Sequence, residues 1–140
     1  MINAVVLLCA VAQPGASEIA VPIARVKDGD TFEAGCTDRF GKPEVYRIAG
    51  IDTPESNGRA KCPHESTLAN LASANAKVMA ARAGMVAQVS LPVAQEKYGR
   101  YLAKVSFIID GQRVEWAQAQ IAAGYAKPYY GSKKTEWCKM

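Results

Sequence analysis

The sequence predicts an α+β protein built on a small closed β-barrel with helices, and three observations carry that prediction. Short alternating or β-branched apolar stretches recur along 140 residues, Gly- and Asp-containing turns separate them, and only two stretches keep a helical apolar period. Hydrophobic residues make up 49% and charged residues 21% of the chain, an ordinary globular balance that excludes wholesale disorder. No apolar run reaches the roughly 18–20 residues of a membrane-spanning helix, so no membrane association is expected.

Taken in order, Ala20–Lys27 alternates, Asp28-Gly29 is a hairpin signal, and Thr31–Cys36 resumes a strand. Pro43–Ile51 reads as a third strand, and residues 56–64 are polar and turn-rich. An Ala-rich stretch from Glu65 to Ala83, with Leu68, Leu71, Ala72, Val78 and Met79, reads as a helix ended by Gly84. Met85–Pro92 and Tyr101–Ile109 are two further strands, and Asp110-Gly111 turns the chain into a short helix over Val114–Ala123. Three strands, a helix, two strands and a helix fit a five-stranded Greek-key barrel of the OB type. A split α+β sandwich is the alternative.

Residues 1–17 carry no charged side chain; an apolar stretch from Ala4 to Ala12 precedes Gln13-Pro14-Gly15 and small residues. That is the layout of a secretory signal, so a domain over 18–140 and a secreted or periplasmic location are expected. A buried first strand or a misplaced start codon is the competing explanation. Past the leader the cysteines are Cys36, Cys62 and Cys138; with no C-x-x-C pair and His64 the sole histidine, a zinc site is not expected. Cys62 and Cys138 stand in polar, loop-like surroundings whereas Cys36 follows a strand-like run, which favours a Cys62–Cys138 bridge with Cys36 left as a thiol. Three reduced thiols is the alternative.

Net charge is +4, but its distribution is uneven. Residues 1–95 carry nine groups of each sign, while residues 96–140 carry eight basic groups against four acidic ones. A polyanionic partner fits such asymmetry, as does a merely solvated basic face.

Three clusters could bear chemistry: Asp28-Gly29-Asp30-Thr31, the run Arg47 to Glu55, and Glu96-Lys97-Tyr98-Gly99-Arg100. Singly, each reads as a turn or a polar loop. Together they offer Asp30 and Asp52 as hard oxygen ligands for a divalent cation, Glu55 as a general base, and Arg47 and Arg100 as planar donors for phosphate oxygens. That set suits phosphodiester hydrolysis.

The segments KDGDTF, YRIAGIDTPE and EKYGRYLAKV, in this order and spacing, resemble the staphylococcal (micrococcal) nuclease, or thermonuclease, family across Ala20 to Tyr130. The resemblance implies an OB-fold barrel and calcium-dependent cleavage of DNA and RNA to products ending in a 3′-phosphate, with Ca2+ expected before Mg2+. It implies Asp30, Asp52 and the Thr53 carbonyl as metal ligands, and Arg47, Glu55 and Arg100 as the catalytic trio. Lys97, Tyr98 and Tyr130 match nucleotide-contacting residues. A monomer acting on nucleic acid, single strands first, is the expected partner arrangement; a binding module that holds strands without cutting is the rival. The loop after Glu55 and the stretch ending in Trp137-Cys138 depart from the family pattern.

One geometric requirement follows. In a regular strand Arg47 and Asp52, five apart, point to opposite faces, so the chain must bulge or bend between them, and Gly50 is the natural place. Elsewhere, His64 reads as a surface residue and Trp116 as core, while Tyr125, Tyr129 and Tyr130 suit packing or base stacking equally.

Overall fold

Alternation along the long first strand of the sheet sets the core. Ile19, Val21 and Ile23 are buried with exposed residues between them, and then Val26 is buried three positions on instead of two. The pairing register shifts between Ile23 and Arg25, so one extra residue resets the phase and keeps the apolar side inward. A computed structural model describes residues 6–7, 10–11, 15–38, 40–131 and 135–139.

Two short strands, β1 (Val6–Leu7) and β2 (Ala10–Val11), pair antiparallel with each other. The remaining strands are β3 (Glu18–Asp28), β4 (Thr31–Thr37), β5 (Pro43–Ile48), β6 (Ile51–Asp52), β7 (Val86–Ser90), β8 (Ala94–Gln95), β9 (Tyr101–Ala103), β10 (Val105–Ile109), β11 (Gln112–Glu115) and β12 (Lys127–Pro128). Helix α1 spans Pro63–Arg82 and helix α2 spans Trp116–Ala122; 3₁₀ turns lie at Asn57–Arg59 and Trp137–Lys139. The fold is α+β: a mostly antiparallel open sheet in the order β11-β10-β7-β3-β4-β5-β9-β8, in which only β5 and β9 run parallel, with two helices. β12 pairs separately with β6. Among the described residues no helix is long and apolar enough to cross a membrane.

Several elements differ from expectation. Asp110-Gly111 closes a hairpin and does not lead straight into a helix: both residues have positive φ (50° and 76°) and Ile109 pairs with Gln112, so β11 precedes a shorter α2. The third expected strand divides at Ala49-Gly50, and the last divides at Lys104. In α1 the buried stripe is Ala69, Ala72, Ala76 and Ala80 with Met79, while Leu71 and Val78 are exposed. Small side chains on that stripe let the helix lie close to the sheet. Outside the described residues lie Cys9 and most of the apolar leader.

A column of rings fills the interior. Phe32 stacks on Tyr46 (4.9 Å between centroids) and on Trp116 (5.7 Å), and Phe107 stacks on Trp116 (5.2 Å), tying β4, β5, β10 and α2 together. Trp116 is core, as read from the sequence, and its Nε1–H donates to the Gly29 carbonyl at 2.8 Å. Buried Gln120 donates to the same carbonyl and to that of Ala72, both at 2.8 Å, and accepts from Asn75. The two helices thus grip the turn between β3 and β4. A Cβ on Gly29 would sit 2.7 Å from the Ala72 side chain, closer than two carbons can approach. Gly29→Ala is therefore expected to lower stability by about 1–3 kcal/mol, the range for overpacking a filled interior, in a urea titration.

Candidate active site

The tightest part of the site follows from the bend at Gly50. β5 ends at Ile48, Gly50 takes φ 86°, and the chain re-enters as β6. Across that bend the Arg47 guanidinium donates to the carbonyls of Ile48 (2.8 Å) and Ile51 (3.0 Å) and pairs with Asp30 Oδ2 at 3.0 Å. The bend required for Arg47 and Asp52 to serve one region is present, and Arg47 itself holds it.

Asp30 is buried at the β3–β4 turn, where Asp28 and Thr31 pair and Gly29-Asp30 forms the reversal. Its Oδ2 also accepts the Thr53 hydroxyl at 2.9 Å, and its Oδ1 accepts that of Thr31 at 2.9 Å. One carboxylate therefore joins the turn, the bend and the start of the loop after β6. Asp52 is buried one residue before Thr53, and its Oδ2 accepts the backbone N–H of Thr135 at 3.0 Å.

Glu55 and Arg100 are more open. The Glu55 backbone N–H donates to Glu65 at 3.0 Å, and its carboxylate lies 3.9 Å from exposed Arg59. Arg100 folds back on Glu96 through two side-chain bonds of 3.2 and 3.0 Å. That hydrogen bonding raises the Arg100 pKa despite some loss of water, and the charges of Asp30 and Asp28 add to the rise. Arg100 thus sits within the field of the acidic turn.

The predicted residues line two clefts. Arg47, Lys97, Tyr98 and Arg100 border a cleft of about 400 Å³ together with Gly50 and Tyr129. Asp52, Thr53 and Glu55 border a second, of about 250 Å³, closed by residues 135–139. Buried Asp30, through Arg47 and Thr53, connects the two. Tyr129 lines the first cleft and its N–H donates to the Gly50 carbonyl, while Tyr130 is 85% exposed with its ring edge beside Gly50 at the cleft's border. The pairing of β12 with β6 determines which tyrosine of the doublet turns inward, a long-range contact that no local pattern marks.

Cys62 and Cys138 are bridged, as their polar settings suggested. Cys36 is disulfide-bonded too, which corrects the expectation of a leftover thiol. His64 is exposed, as expected. Three acidic residues named in the sequence analysis were given no role there. Glu65 stands three residues after the N-cap Cys62, where a capping-box carboxylate belongs, but it reaches beyond its own helix to the N–H groups of Lys61 (2.9 Å) and Glu55 (3.0 Å). Glu96, four residues before Arg100, is marked only by that spacing. Asp28 lies in the same turn as Asp30; its residue is exposed at the rim, yet its carboxyl is pushed up to about 7, first by crowding away from water and then by the charge of Asp30.

Two crowded carboxyls at one turn, with the Thr53 hydroxyl bonded to one of them, offer oxygen donors of the kind hard cations take. Among the described residues, however, no three acidic, His or Cys side chains stand close enough together to form a metal cage. The Asp30 oxygen that accepts Thr53 is also the one engaged by Arg47. No protein-family model and no curated protein matches this chain.

The Glu96–Arg100 pair yields a pH expectation. The hydrogen bond from Arg100 holds the Glu96 carboxyl below its usual range, against the opposing effect of burial. A lowered native value favours the folded state once pH exceeds the unfolded carboxyl's titration, and that gain disappears as pH falls through the lowered native value. Glu96→Gln is therefore expected to lower stability near neutrality by less than about 1 kcal/mol, as for pairs near the surface that water still reaches. Denaturation curves of the two proteins should converge on acidification.

Proposed function

We propose that this chain is a calcium-dependent nuclease of the staphylococcal type, hydrolysing phosphodiester bonds of DNA and RNA and leaving 3′-phosphate ends. The observation that carries the reading is the single buried carboxylate of Asp30 that receives both Arg47 and Thr53. Two of the three motifs of the sequence thereby meet in one hydrogen-bonded junction, beside a cleft lined by Arg100, Lys97 and Tyr98 of the third.

An OB-type barrel is part of the proposal. β9 and β10 are separated only by Lys104, yet β9 bonds β5 and β10 bonds β7. One bent strand serving both partners supports ring closure of the sheet.

In this reading Asp30, Asp52 and the Thr53 carbonyl would hold the ion, which supplies Lewis-acid stabilisation of charge on a phosphate oxygen. Arg47 and Arg100 hold the remaining oxygens as negative charge builds on them, Arg47 from a position fixed by three acceptors and Arg100 after exchanging Glu96 for phosphate. Glu55, half in solvent at the mouth of the second cleft, orients and deprotonates water. Lys97 and Tyr98 grip a terminal phosphate, and Tyr129 offers a ring to the same nucleotide. Export through residues 1–17 places the activity outside the cytoplasm, where a bridged Cys62–Cys138 pair persists.

A second reading, a module that binds single strands without cutting, is favoured by the lack of a three-residue metal cage among the described residues. Digestion of single-stranded DNA, double-stranded DNA and RNA across a calcium titration separates the two. The nuclease reading expects cleavage that a chelator abolishes, with turnover reduced about 10²–10⁴-fold in Glu55→Gln at unchanged fold. Strand binding with no cleavage at any calcium concentration would leave the binding module standing.

A further inference from the structure

The stretch Thr135–Lys139 lies against the loop that carries Asp52 and Glu55, and three features keep it there. Cys138 is bridged to Cys62, the residue that caps α1. Trp137 is buried at 2% exposure. Cys138 Sγ lies 4.0 Å from Glu65, whose carboxylate receives the N–H groups of Lys61 and Glu55. From that anchored stretch a backbone donor reaches the candidate site: the Thr135 N–H, 3.0 Å from Asp52 Oδ2.

Asp52 is almost fully buried, so its carboxylate needs donors, and an N–H bonded to one oxygen fixes which way the other faces. Carboxylates that bind metal ions are commonly oriented by an outer donor of this kind. We propose that Thr135, held in register by the Cys62–Cys138 bridge, is a positioning residue for Asp52, and that the disulfide-anchored stretch is a working part of the cation site. This rests on the nuclease reading above. Asp52 is thereby held from two sides: its own strand pairs with β12 through Lys127, and its side chain is held by Thr135. The bridge spans a sequence separation of 76, so without it nothing covalent would keep residue 135 near residue 52.

Proline at 135 deletes the one N–H while leaving both cysteines and Trp137 in place. Calcium affinity of the full chain, measured calorimetrically with calcium chloride alone, should fall about 10–100-fold in Thr135→Pro. Thr135→Ala, which keeps the N–H, should bind calcium as the unmodified protein does. Mononucleotide binding in chelator, which uses the Arg47–Arg100 cleft, should be the same in all three. The Cys62→Ser, Cys138→Ser double variant should lose calcium affinity to a similar degree, and it decides the matter if the proline variant does not fold. Wild-type calcium affinity in a folded Thr135→Pro protein, or in the folded double variant, overturns the proposal. An unmodified protein that binds no calcium overturns the nuclease reading itself and this proposal with it.

Discussion

A largely buried ion pair between Arg47 and Asp30 is the constraint on which the rest of the site depends. Such a pair persists only if the remaining donors and acceptors are also satisfied, because removing two charges from water is costly. Arg47 meets that condition with two carbonyls on either side of the Gly50 bend, and Asp30 meets it with the hydroxyls of Thr31 and Thr53. The pair therefore sets the backbone path from residue 47 to 53. A straight strand would bring neither carbonyl to the guanidinium.

The other end of that pair is held from behind. Trp116 and Gln120 both donate to the carbonyl of Gly29, the residue between Asp28 and Asp30. Helix α1 comes close enough to complete the grip only because its inward stripe is alanine. Packing of two helices on the sheet is thus converted into the position of one acidic turn. Burial, hydrogen bonding and site geometry form one continuous chain here: ring column, Gly29 carbonyl, Asp30, Arg47, Gly50 bend.

What could be read from the residues divides along physical lines. Features set by local chemistry were legible: the bend at Gly50, the Gly-containing reversals, the core placement of Trp116, and the polar settings of Cys62 and Cys138. Arg47 stood out because a charged group in an otherwise apolar strand demands a reason. Features set by long-range packing were not legible. The alanine stripe of α1 is invisible to a rule that places the largest apolar residues inward, and Leu71 and Val78 mislead it. The inward turn of Tyr129, in place of Tyr130, depends on β12 meeting β6. Glu65 resembles an ordinary helix-start acid until its partners, ten and four residues upstream, are seen. Asp110-Gly111 read as a turn into a helix because the short strand after it runs straight into α2 and its alternation is too brief to separate from a helix start.

Two clefts joined through one carboxylate make a specific arrangement for the proposed chemistry: phosphate oxygens on the arginine side, water and ion on the acid side, and Asp30 bonded to Arg47 of the one and Thr53 of the other. The direct measurement is a crystal structure with calcium and a non-hydrolysable phosphorothioate dinucleotide. The account predicts the bridging phosphate at the junction, touching Arg47 and Arg100, with the ion on Asp30 and Asp52 and a water between the phosphorus and Glu55. A dinucleotide seated away from Arg47, or an ion bound elsewhere on the surface, would contradict it.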